Sequence, residues 1–383
     1  MQLRSSIIGN IEEVCSDDWN ALEGTGQPFL EHAFLAALER HGCVGERWGW
    51  HPRHLLLHDE QRLVGAMPQY LKTNAYGELV FDWDWAEAHQ RSGLAYYPKL
   101  VAAVPYTPAS GARLLIAPGV DRTRVARALI DAAISHARGL GLSSLHWLFP
   151  HRRDRDALAA RGLLIRSGCQ FHWHNRGYRD FEHYLSHFTS SKRKNVRRER
   201  RRVREAGIEV RRLYGEQLSE SQWAAVHRHY ASTFNRLGGH ATLSLDFFRD
   251  ISQRLAGQVV IFLARQQGRE VASAICLRDG HSLYGRHWGC DARFDKLHFE
   301  LCYYQGLDYC IGEGLRRFDP GAQGEHKISR GFLPTATWSA HWIADRRLRT
   351  AIADFLQREE RAMRDYMRTL GEHSPFRRDR GAV

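Results

Sequence analysis

The chain has 383 residues, of which 43% are apolar and 11% aromatic, so its composition excludes a largely disordered protein and predicts two domains. Basic residues outnumber acidic ones by 55 to 43, which predicts an anionic ligand or partner. The seven cysteines are scattered and form no CxxC pair, so we expect neither a disulfide framework nor a metal site, and a reducing, cytoplasmic location. Acids occur too early for a secretory signal, and charge or proline interrupts the longest apolar runs, so no membrane span is expected.

The chain contains a faint internal repeat. Each half has, in the same order, two strands joined by a turn, a third strand, an amphipathic helix and a final strand. The corresponding ranges are 54–72, 78–83, 122–138 and 139–147 in the first half, and 260–278, 282–289, 298–311 and 312–320 in the second. Hairpins can resemble one another by chance, but matches in the same order favour a duplicated domain and hence an α/β fold with mixed sheets. Further helices are predicted at 219–237, after the capping residue Ser219, and at 345–370.

A strongly basic helix is predicted between the two halves. It follows a short helix at 181–188 and begins at the capping residues 189–191. Of the thirteen residues from Lys192 to Arg204, nine are cations and one is an acid, so most of the net charge of +12 is local. Either this is a solvated helix whose arginine stems cover apolar surface, or it binds phosphate groups of an RNA or a diphosphate-linked substrate. The phosphate-binding candidates are Lys192, Arg193, Lys194, Arg197 and Arg198.

A loop after the last strand of the second half concentrates residues suited to acyl transfer. Glycines and a proline in PGAQGEHKISRGF place Glu325, His326, Lys327 and Arg330 at the carboxyl end of a strand, where open α/β sheets bind ligands. In acyl transfer an amine must lose a proton, and a developing oxyanion needs positive charge nearby. We expect His326 or Glu325 to accept the proton, and Lys327 and Arg330 to stabilise charge. The alternative is a structural loop held by ion pairs.

Substrate-positioning residues are expected in two further regions. In the second half, Arg286 is predicted on one strand face with His287 on the other, while Glu300 and Tyr304 lie on the helix face opposite the buried side. Interaction with the helix dipole is the alternative explanation of Glu300. In the first half, the aromatic segment 82–118 is rich in proline and glycine and is expected to be an irregular binding loop, or else a packing loop. Its candidates are Tyr96, Tyr97, Lys99, Tyr106 and Thr107.

Several well-known motifs are absent from the sequence. Acetyl-CoA-dependent N-acetyltransferases usually carry a Q/R-x-x-G-x-G/A loop between a strand and a helix, where backbone N–H groups hold the pyrophosphate. The corresponding stretch here reads GCDARFDKLH and lacks those glycines. The chain also has no Walker, GxGxxG, HExxH or GxSxG motif, which leaves nucleotide-driven, metalloprotease and serine-hydrolase functions without support.

Several segments together resemble a known family. They are YYPKL, VPYTP, SGARLL, SSKRKNVRRERRRV, LYGRHWG, LHFELCYYQGLDYCI and FDPGAQGEHKISRGFLP. Over about residues 10–370 the chain resembles the FemAB-like (peptidoglycan biosynthesis/recognition) family of predicted N-acyltransferases in the GNAT superfamily. The resemblance implies tandem GNAT-like acyltransferase domains joined by the basic helical segment. We expect residues 1–175 to form the first domain, and residues 176–383 to form the basic segment, the second domain and a C-terminal helix.

The same resemblance implies a function. Fem-type relatives transfer an amino acid from aminoacyl-tRNA to the amine of a peptidoglycan precursor peptide. We therefore expect an N-acyltransferase that moves an acyl or aminoacyl group to an amine acceptor such as a cell-wall precursor. The donor, aminoacyl-tRNA or else acyl-CoA or acyl carrier protein, is expected as a co-substrate, with no permanently bound cofactor and no metal.

Other functions are compatible with the same residues. One alternative is a non-catalytic protein that binds RNA or a peptidoglycan precursor on a transferase fold. The other is an N-acetyltransferase-like enzyme that uses acyl-CoA or acyl carrier protein. In each case the expected partner is an anion, either tRNA or a diphosphate-linked precursor.

Overall fold

The structure, a computed structural model, describes residues 2–292, 294–322 and 324–377. The strands in this part of the chain are β1 Leu3–Ile8, β2 Trp50–Pro52, β3 His54–Asp59, β4 Arg62–Met67, β5 Gln69–Lys72, β6 Lys99–Ala102, β7 Leu115–Ile116, β8 Ser144–Leu148, β9 Leu164–His174, β10 Glu209–Tyr214, β11 Val259–Gln266, β12 Arg269–Arg278, β13 Ser282–Cys290, β14 Arg317–Asp319 and β15 Leu333–Ile343.

The helices are interspersed with the strands along the sequence. The α-helices in the described residues are α1 Ser16–Asn20, α2 His32–Arg40, α3 Trp83–Arg91, α4 Arg122–Gly139, α5 Arg152–Ala160, α6 Phe181–Ser186, α7 Ser190–Glu205, α8 Glu220–Leu237, α9 Leu245–Arg254, α10 Leu297–Phe299, α11 Gln305–Gly312 and α12 Arg346–Glu372. A π-helix at Glu300–Tyr304 joins α10 to α11, and a 3-10 helix occupies Glu325–Arg330. No helix in these described ranges is both long and apolar enough to cross a bilayer.

The chain divides into two compact units, neither of which is a single continuous segment. Unit 1 comprises the residues up to Cys169 together with Ala336–Asp365. Unit 2 comprises Gln170–Thr335 together with the residues from Tyr366 onward. The division falls inside β9 and β15, so each of these long strands contributes residues to both units.

Unit 1 is built on two sheets. The first is antiparallel, with the order β1-β3-β4-β7, and the second has the order β2-β5-β6-β8-β15, in which β6 and β8 are parallel. Helix α4 begins after Asp121, whose side chain accepts a hydrogen bond from the backbone N–H of Arg124. Its buried residues Val125, Leu129 and Ala133 recur at helical spacing, so one apolar stripe faces the core.

Unit 2 contains a sheet with the order β10-β11-β12-β13-β14-β9. Its pairs are antiparallel except for β13 and β14, which run parallel from Ser282 to Tyr284. Helix α8 packs on β12 and β13, and Gly289 permits the close approach, because a Cβ atom there would lie 1.7 Å from the carbonyl oxygen of His229. The parallel pair is the part of this sheet that positions the candidate site.

Most elements predicted from the sequence are confirmed. The two hairpins form as β3–β4 and β11–β12, the amphipathic helices as α4 and α10–α11, and the final strands as β8 and β14. The basic helix forms as α7, and α8 begins after Ser219, whose side chain accepts from the backbone N–H of Gln222. Several of these elements have a local signal, such as the caps of α4 and α8 or the glycine turn between β11 and β12.

The segment 78–118 differs from its prediction. No strand forms at 78–83, because Leu79 has a positive φ of 61° and Glu78 and Asp82 turn inward to a buried lysine. In the first half of the repeat, β6 takes the place of the third strand predicted at 78–83. The region predicted to be irregular also contains α3 and β7, so the expectation of an unstructured loop over 82–118 is wrong.

Candidate functional site

Unit 2 contains a cavity of about 580 Å³ beside the parallel strands. The recorded pairing of β13 with β14 ends at Tyr284 and Asp319, and the cavity lies beyond that point, at the carboxyl end of β14. Its lining comes from α8 (Thr233, Phe234, Leu237), β12 (Ala274, Ile275, Cys276), β13 (Gly285, Arg286, His287, Trp288), the following helix (His298, Cys302, Tyr303) and the loop after β14 (Pro320, Ala322, His326, Lys327). This is the edge of an α/β sheet at which ligands commonly bind.

Four consecutive residues of β13 line the cavity, and a β-bulge lies among them. The register passes from Ile275 opposite His287 to Cys276 opposite Gly285, so Arg286 is the extra residue. Arg286 and His287, which were predicted on opposite strand faces, both line the cavity together with Trp288. Burial lowers the pKa of Arg286 to about 10, so the guanidinium still carries its charge at neutral pH.

Lys327 is a buried cation in the cavity wall, with only 2% of its surface exposed. Its ammonium group donates hydrogen bonds to the carbonyl oxygens of Gly321 at 2.7 Å and Ala322 at 3.1 Å. Burial lowers the pKa of Lys327 to about 8, while the charges of Asp319 and Cys302 act in the opposite direction. The ammonium is therefore mostly protonated at pH 7 and titrates slightly above that value.

His326 and Tyr303 form a hydrogen-bonded pair that lines the same cavity. The imidazole Nε2 lies 2.8 Å from the Tyr303 hydroxyl oxygen. Burial lowers the pKa of His326 below its ordinary value, and the charges of Arg330 and Lys327 lower it further, so the ring is neutral at pH 7. Burial also raises the pKa of Tyr303, which keeps that hydroxyl protonated. A neutral imidazole with one nitrogen held by a neighbour is suited to accept a proton.

Arg330 fixes the loop that carries His326 and Lys327 rather than lining the cavity. Its guanidinium donates to both carboxylate oxygens of Glu199 in α7, at 2.8 and 2.9 Å, and to the Tyr304 hydroxyl at 3.0 Å. It also donates to the carbonyl oxygen of His326 at 2.7 Å. The Tyr304 hydroxyl donates to Glu199 as well, which closes the network. Arg330 and Tyr304 are therefore positioning residues that attach the basic helix to the cavity loop.

Glu199 is the residue of this network that the sequence reasoning missed. It is the single acid among the nine cations of 192–204, and that isolation is a signal that could have identified it. Glu199 lies on the side of α7 that also buries Val196 and Val203. The helix is therefore neither free on all sides nor purely solvated, because one face is packed and ion-paired within unit 2.

The π-helix gives Glu300 a different environment from the one predicted. Only 4% of Glu300 is exposed, and its Oε1 accepts hydrogen bonds from Arg200 at 3.1 Å and from Gln305 at 2.8 Å. The expectation that Glu300 lies on an exposed helix face is wrong, because the wider π turn redistributes the side chains around the axis. Tyr303 then lines the cavity, while Tyr304 bonds to Glu199.

Glu325 lies outside the set of residues that line the cavity. Its side chain is exposed, and its Oε1 accepts a hydrogen bond of 2.7 Å from the Tyr366 hydroxyl. Of the two proton acceptors expected from the sequence, the structure therefore brings only His326 to the cavity wall.

A second concave surface, of about 530 Å³, follows α7 and is called the basic groove here. It is lined by Phe181, Glu182, Leu185, Lys194, Asn195, Arg197, Arg198, Arg200, Arg201 and Arg204. Three predicted phosphate-binding residues, Lys194, Arg197 and Arg198, belong to this lining, although Arg197 also pairs with Glu182. Lys192 and Arg193 lie half-buried in the first turn of α7 and are not among the lining residues.

The substrate-binding candidates of the first half form a buried ionic cluster in unit 1. Lys99 has no exposed surface, and its ammonium donates to Glu78 at 2.9 Å and Asp82 at 2.5 Å. Tyr96 donates to Asp82 at 2.5 Å and its ring, like that of Tyr97, lies against the Lys99 ammonium.

Tyr106 and Thr107 are buried at other points of unit 1. Their hydroxyls donate to the carbonyl oxygens of Cys43 at 2.8 Å and Pro105 at 2.9 Å. The structure thus brings Tyr96, Tyr97 and Lys99 together and leaves Tyr106 and Thr107 bonded to backbone. A role of these five residues in substrate binding stays a prediction.

Comparison with known proteins identifies the family of this chain. A model of the FemAB-like family, described as peptidoglycan biosynthesis/recognition, matches residues 10–378. The chain belongs to this family. No curated protein matches this FemAB-like chain.

Solved structures show the same fold at low sequence identity. FemX is 12% identical, with a TM-score of 0.53, and the alignment covers 91% of this chain and 100% of FemX. The C-terminal domain of a protein named as a lysylphosphatidylglycerol synthetase, from Agrobacterium fabrum, is 11% identical with a TM-score of 0.53, over 92% and 96% of the two chains. A conserved protein of unknown function from Bacteroides thetaiotaomicron is 10% identical with a TM-score of 0.51, over 89% and 100%. The predicted fold class, tandem GNAT-like domains with mixed α/β sheets, is confirmed.

Proposed function

We propose that this FemAB-like protein is an N-acyltransferase, and that the cavity of unit 2 holds the reacting acyl group and the amine. The transferred group is an acyl or aminoacyl group, and the acceptor is an amine such as that of a cell-wall precursor. The observation that carries the proposal is the juxtaposition of His326 and Lys327 in one cavity wall. One is a neutral imidazole and the other a buried cation, the two groups that acyl transfer to an amine requires.

In the proposed reaction the amine nitrogen attacks the carbonyl carbon of the donor and forms the new C–N bond. The proton lost by the amine passes to His326, whose ring is held by the Tyr303 hydroxyl. The ammonium of Lys327 stabilises the negative charge that develops on the carbonyl oxygen. The bond to the leaving oxygen or sulfur then breaks, and the leaving group takes the proton from His326. Atoms and charge balance without a further reactant.

Two features favour aminoacyl-tRNA over acyl-CoA as the donor. The glycine loop that holds the pyrophosphate of CoA in N-acetyltransferases is replaced here by GCDARFDKLH. The basic groove instead offers cations from α7, and the network of Glu199, Tyr304 and Arg330 ties that helix to the cavity loop. A phosphate backbone bound along the groove would thus be mechanically connected to the loop that carries His326.

The donor can be identified by parallel incubations with the two classes of candidate. The full-length protein is incubated with labelled aminoacyl-tRNAs and, separately, with labelled acetyl-CoA and acyl carrier protein, each with a panel of amines that includes peptidoglycan precursor peptides. We expect label to move from aminoacyl-tRNA to an amine. Consumption of neither donor would contradict the enzyme proposal, and tRNA binding without consumption would favour a non-catalytic RNA-binding protein.

The pH dependence of kcat/KM is expected to be bell-shaped. The reaction requires neutral His326, whose pKa is lowered below the ordinary 6.5, so activity falls only at a pH below that value. It also requires protonated Lys327, whose pKa is about 8, so activity falls again above about pH 8. Lys327→Arg should move the basic limb upward by more than a pH unit, since a guanidinium stays charged. An unchanged basic limb in this variant would contradict the role of Lys327.

Donor affinity is expected to depend on the basic groove and on salt. Replacing Lys194, Arg198 and Arg204 with alanine should make the plot of log affinity against log salt less steep by about 2. Each contact with single-stranded RNA contributes about 0.7 to the magnitude of that slope. The matched control is Arg269→Ala, since Arg269 is exposed on β12 and is not among the residues that line the groove. Filter binding of tRNA between 50 and 200 mM salt measures both. Equal slopes in the triple variant and the control would contradict the assignment.

A further inference from the structure

The charged side chains in the described wall of the unit 2 cavity are all of one sign. Two cations line it, Arg286 and Lys327, and its described lining includes no carboxylate. The two remaining ionisable rings from β13 and the following helix are uncharged at neutral pH, because burial lowers the pKa of His287 well below its ordinary value and that of His298 to about 4. The charged side chains of the described lining are therefore all positive at pH 7.

One buried acid lies behind this wall. Asp319, at the end of β14, is 4% exposed, accepts the backbone N–H of Gly321 at 3.0 Å and lies 3.6 Å from His172. Its charge acts on both Arg286 and Lys327, so among the described residues one acid faces the two cations of the wall. Lys327 has given two of its three N–H donors to backbone carbonyls, which leaves one for a ligand.

The rest of the wall is apolar or aromatic. Phe234, Ile275 and Trp288 supply surface that suits the aliphatic part of a small group, next to the polar end formed by the cations. A cationic side chain in this place would lose its hydration without gaining a counter-charge, whereas a carboxylate would gain charge-assisted hydrogen bonds.

We propose that the unit 2 cavity binds a carboxylate of the substrate, so that the enzyme prefers a substrate with an acidic side chain or terminus to one with a cationic side chain. This inference rests on the proposed function, in which the same cavity holds the reacting groups. The carboxylate has two sources. It belongs either to the side chain of an acidic acyl group such as glutamyl or aspartyl, or to the amine acceptor, as the terminal carboxylate of a peptide.

Small probes test the inference without a turnover assay. The first arm compares the N-acetyl amides of glutamate, glutamine and lysine, which share a backbone and differ in side-chain charge. The second arm compares a dipeptide with a free carboxylate and the same dipeptide with an amidated C-terminus. Binding to the full-length protein is measured by calorimetry or ligand-observed NMR at pH 7. We expect an acidic probe of at least one arm to bind roughly tenfold or more tightly than its neutral counterpart, and the lysine amide to bind least.

Variants of Arg286 assign the preference to the cavity. Arg286→Gln should bring the affinities of the acidic and neutral probes together, while Arg286→Lys should keep the order. Arg269→Gln, on the same strand pair but exposed, should leave the affinities unchanged. Circular dichroism checks that each variant is folded, and the comparison of probes in the unmodified protein needs no variant.

The outcomes separate this inference from the proposed function. Equal or tighter binding of the lysine amide, or a charge preference that survives Arg286→Gln, overturns the inference. If no probe binds while a labelled donor is consumed, the inference fails and the acyltransferase proposal stands. If the acidic probe is preferred and no donor is consumed, the carboxylate site stands and the reaction fails.

Discussion

His326→Ala is expected to lower kcat by about 10²- to 10⁴-fold, which is the usual contribution of a positioned general base. The residue lines the cavity, its imidazole is neutral at pH 7, and the Tyr303 hydroxyl holds one of its nitrogens at 2.8 Å. Without it the proton of the amine must pass to water. KM should change less than kcat, because the imidazole acts in the transition state of proton transfer and contributes little to binding of the substrate in the ground state. Steady-state kinetics with the donor that the incubation test selects measures both parameters.

Two variants make this expectation selective. Glu325→Gln alters the neighbouring residue, which is exposed and bonded to Tyr366, so it should leave kcat close to that of the unmodified protein. Tyr303→Phe should lower kcat to a smaller extent than His326→Ala. It removes the hydrogen bond that orients the His326 imidazole but keeps the imidazole itself. A kcat retained in His326→Ala but lost in Glu325→Gln would assign the proton acceptor to the exposed carboxylate instead.

Lys99→Met is expected to destabilise unit 1 by about 3–5 kcal/mol, the usual effect of removing one partner from a buried ion pair. Lys99 has no exposed surface and bonds to Glu78 and Asp82, both almost fully buried. Without the ammonium, two buried carboxylates share a site, and burial lowers the pKa of the nearby Lys72 to about 7, so that its ammonium compensates their charge only in part. Urea unfolding monitored by tryptophan fluorescence measures the loss.

A compensating variant distinguishes charge from packing. Combining Lys99→Met with Glu78→Gln and Asp82→Asn should recover much of the lost stability, because no uncompensated charge remains. Lys296→Met is the matched control, since Lys296 pairs with Asp295 near the surface and should matter little. If the triple variant is as unstable as Lys99→Met alone, the contribution of Lys99 comes from packing against the rings of Tyr96 and Tyr97.

The elements that the sequence predicted well are those with local causes. Helix α8 has a capping box at Ser219 and Gln222, α4 has an N-cap at Asp121, and the hairpin of β11 and β12 turns at a glycine. The cavity loop was also located in advance, because glycine, proline and titratable residues occur together after β14. In each case neighbours along the chain decide the conformation, so one sequence is sufficient.

The features that the sequence could not predict depend on distant partners. The bulge at Arg286 is defined by the register of β12 against β13, and the inward turn of Glu78 depends on a lysine 21 residues away. A regular helix would expose Glu300, whereas the π turn places it against Arg200. The carboxylate of Glu199 acts through Arg330, which lies 131 residues further along the chain. Contacts between residues so far apart in the sequence produce no periodic pattern from which they could be predicted.

Strand β15 limits how this protein can be dissected. In unit 1 it covers one edge of β8, from Ser339 opposite Leu148 to Ile343 opposite Ser144. A fragment that simply stops after residue 175 would uncover that edge, and its open amide and carbonyl groups would invite intermolecular pairing and aggregation. A Cβ atom on Gly168 would lie 2.9 Å from the Thr337 hydroxyl, so the ends at Cys169 and Ala336 are close neighbours. A short glycine–serine splice between those ends, omitting residues 170–335, is therefore the fragment design that preserves the sheet of unit 1.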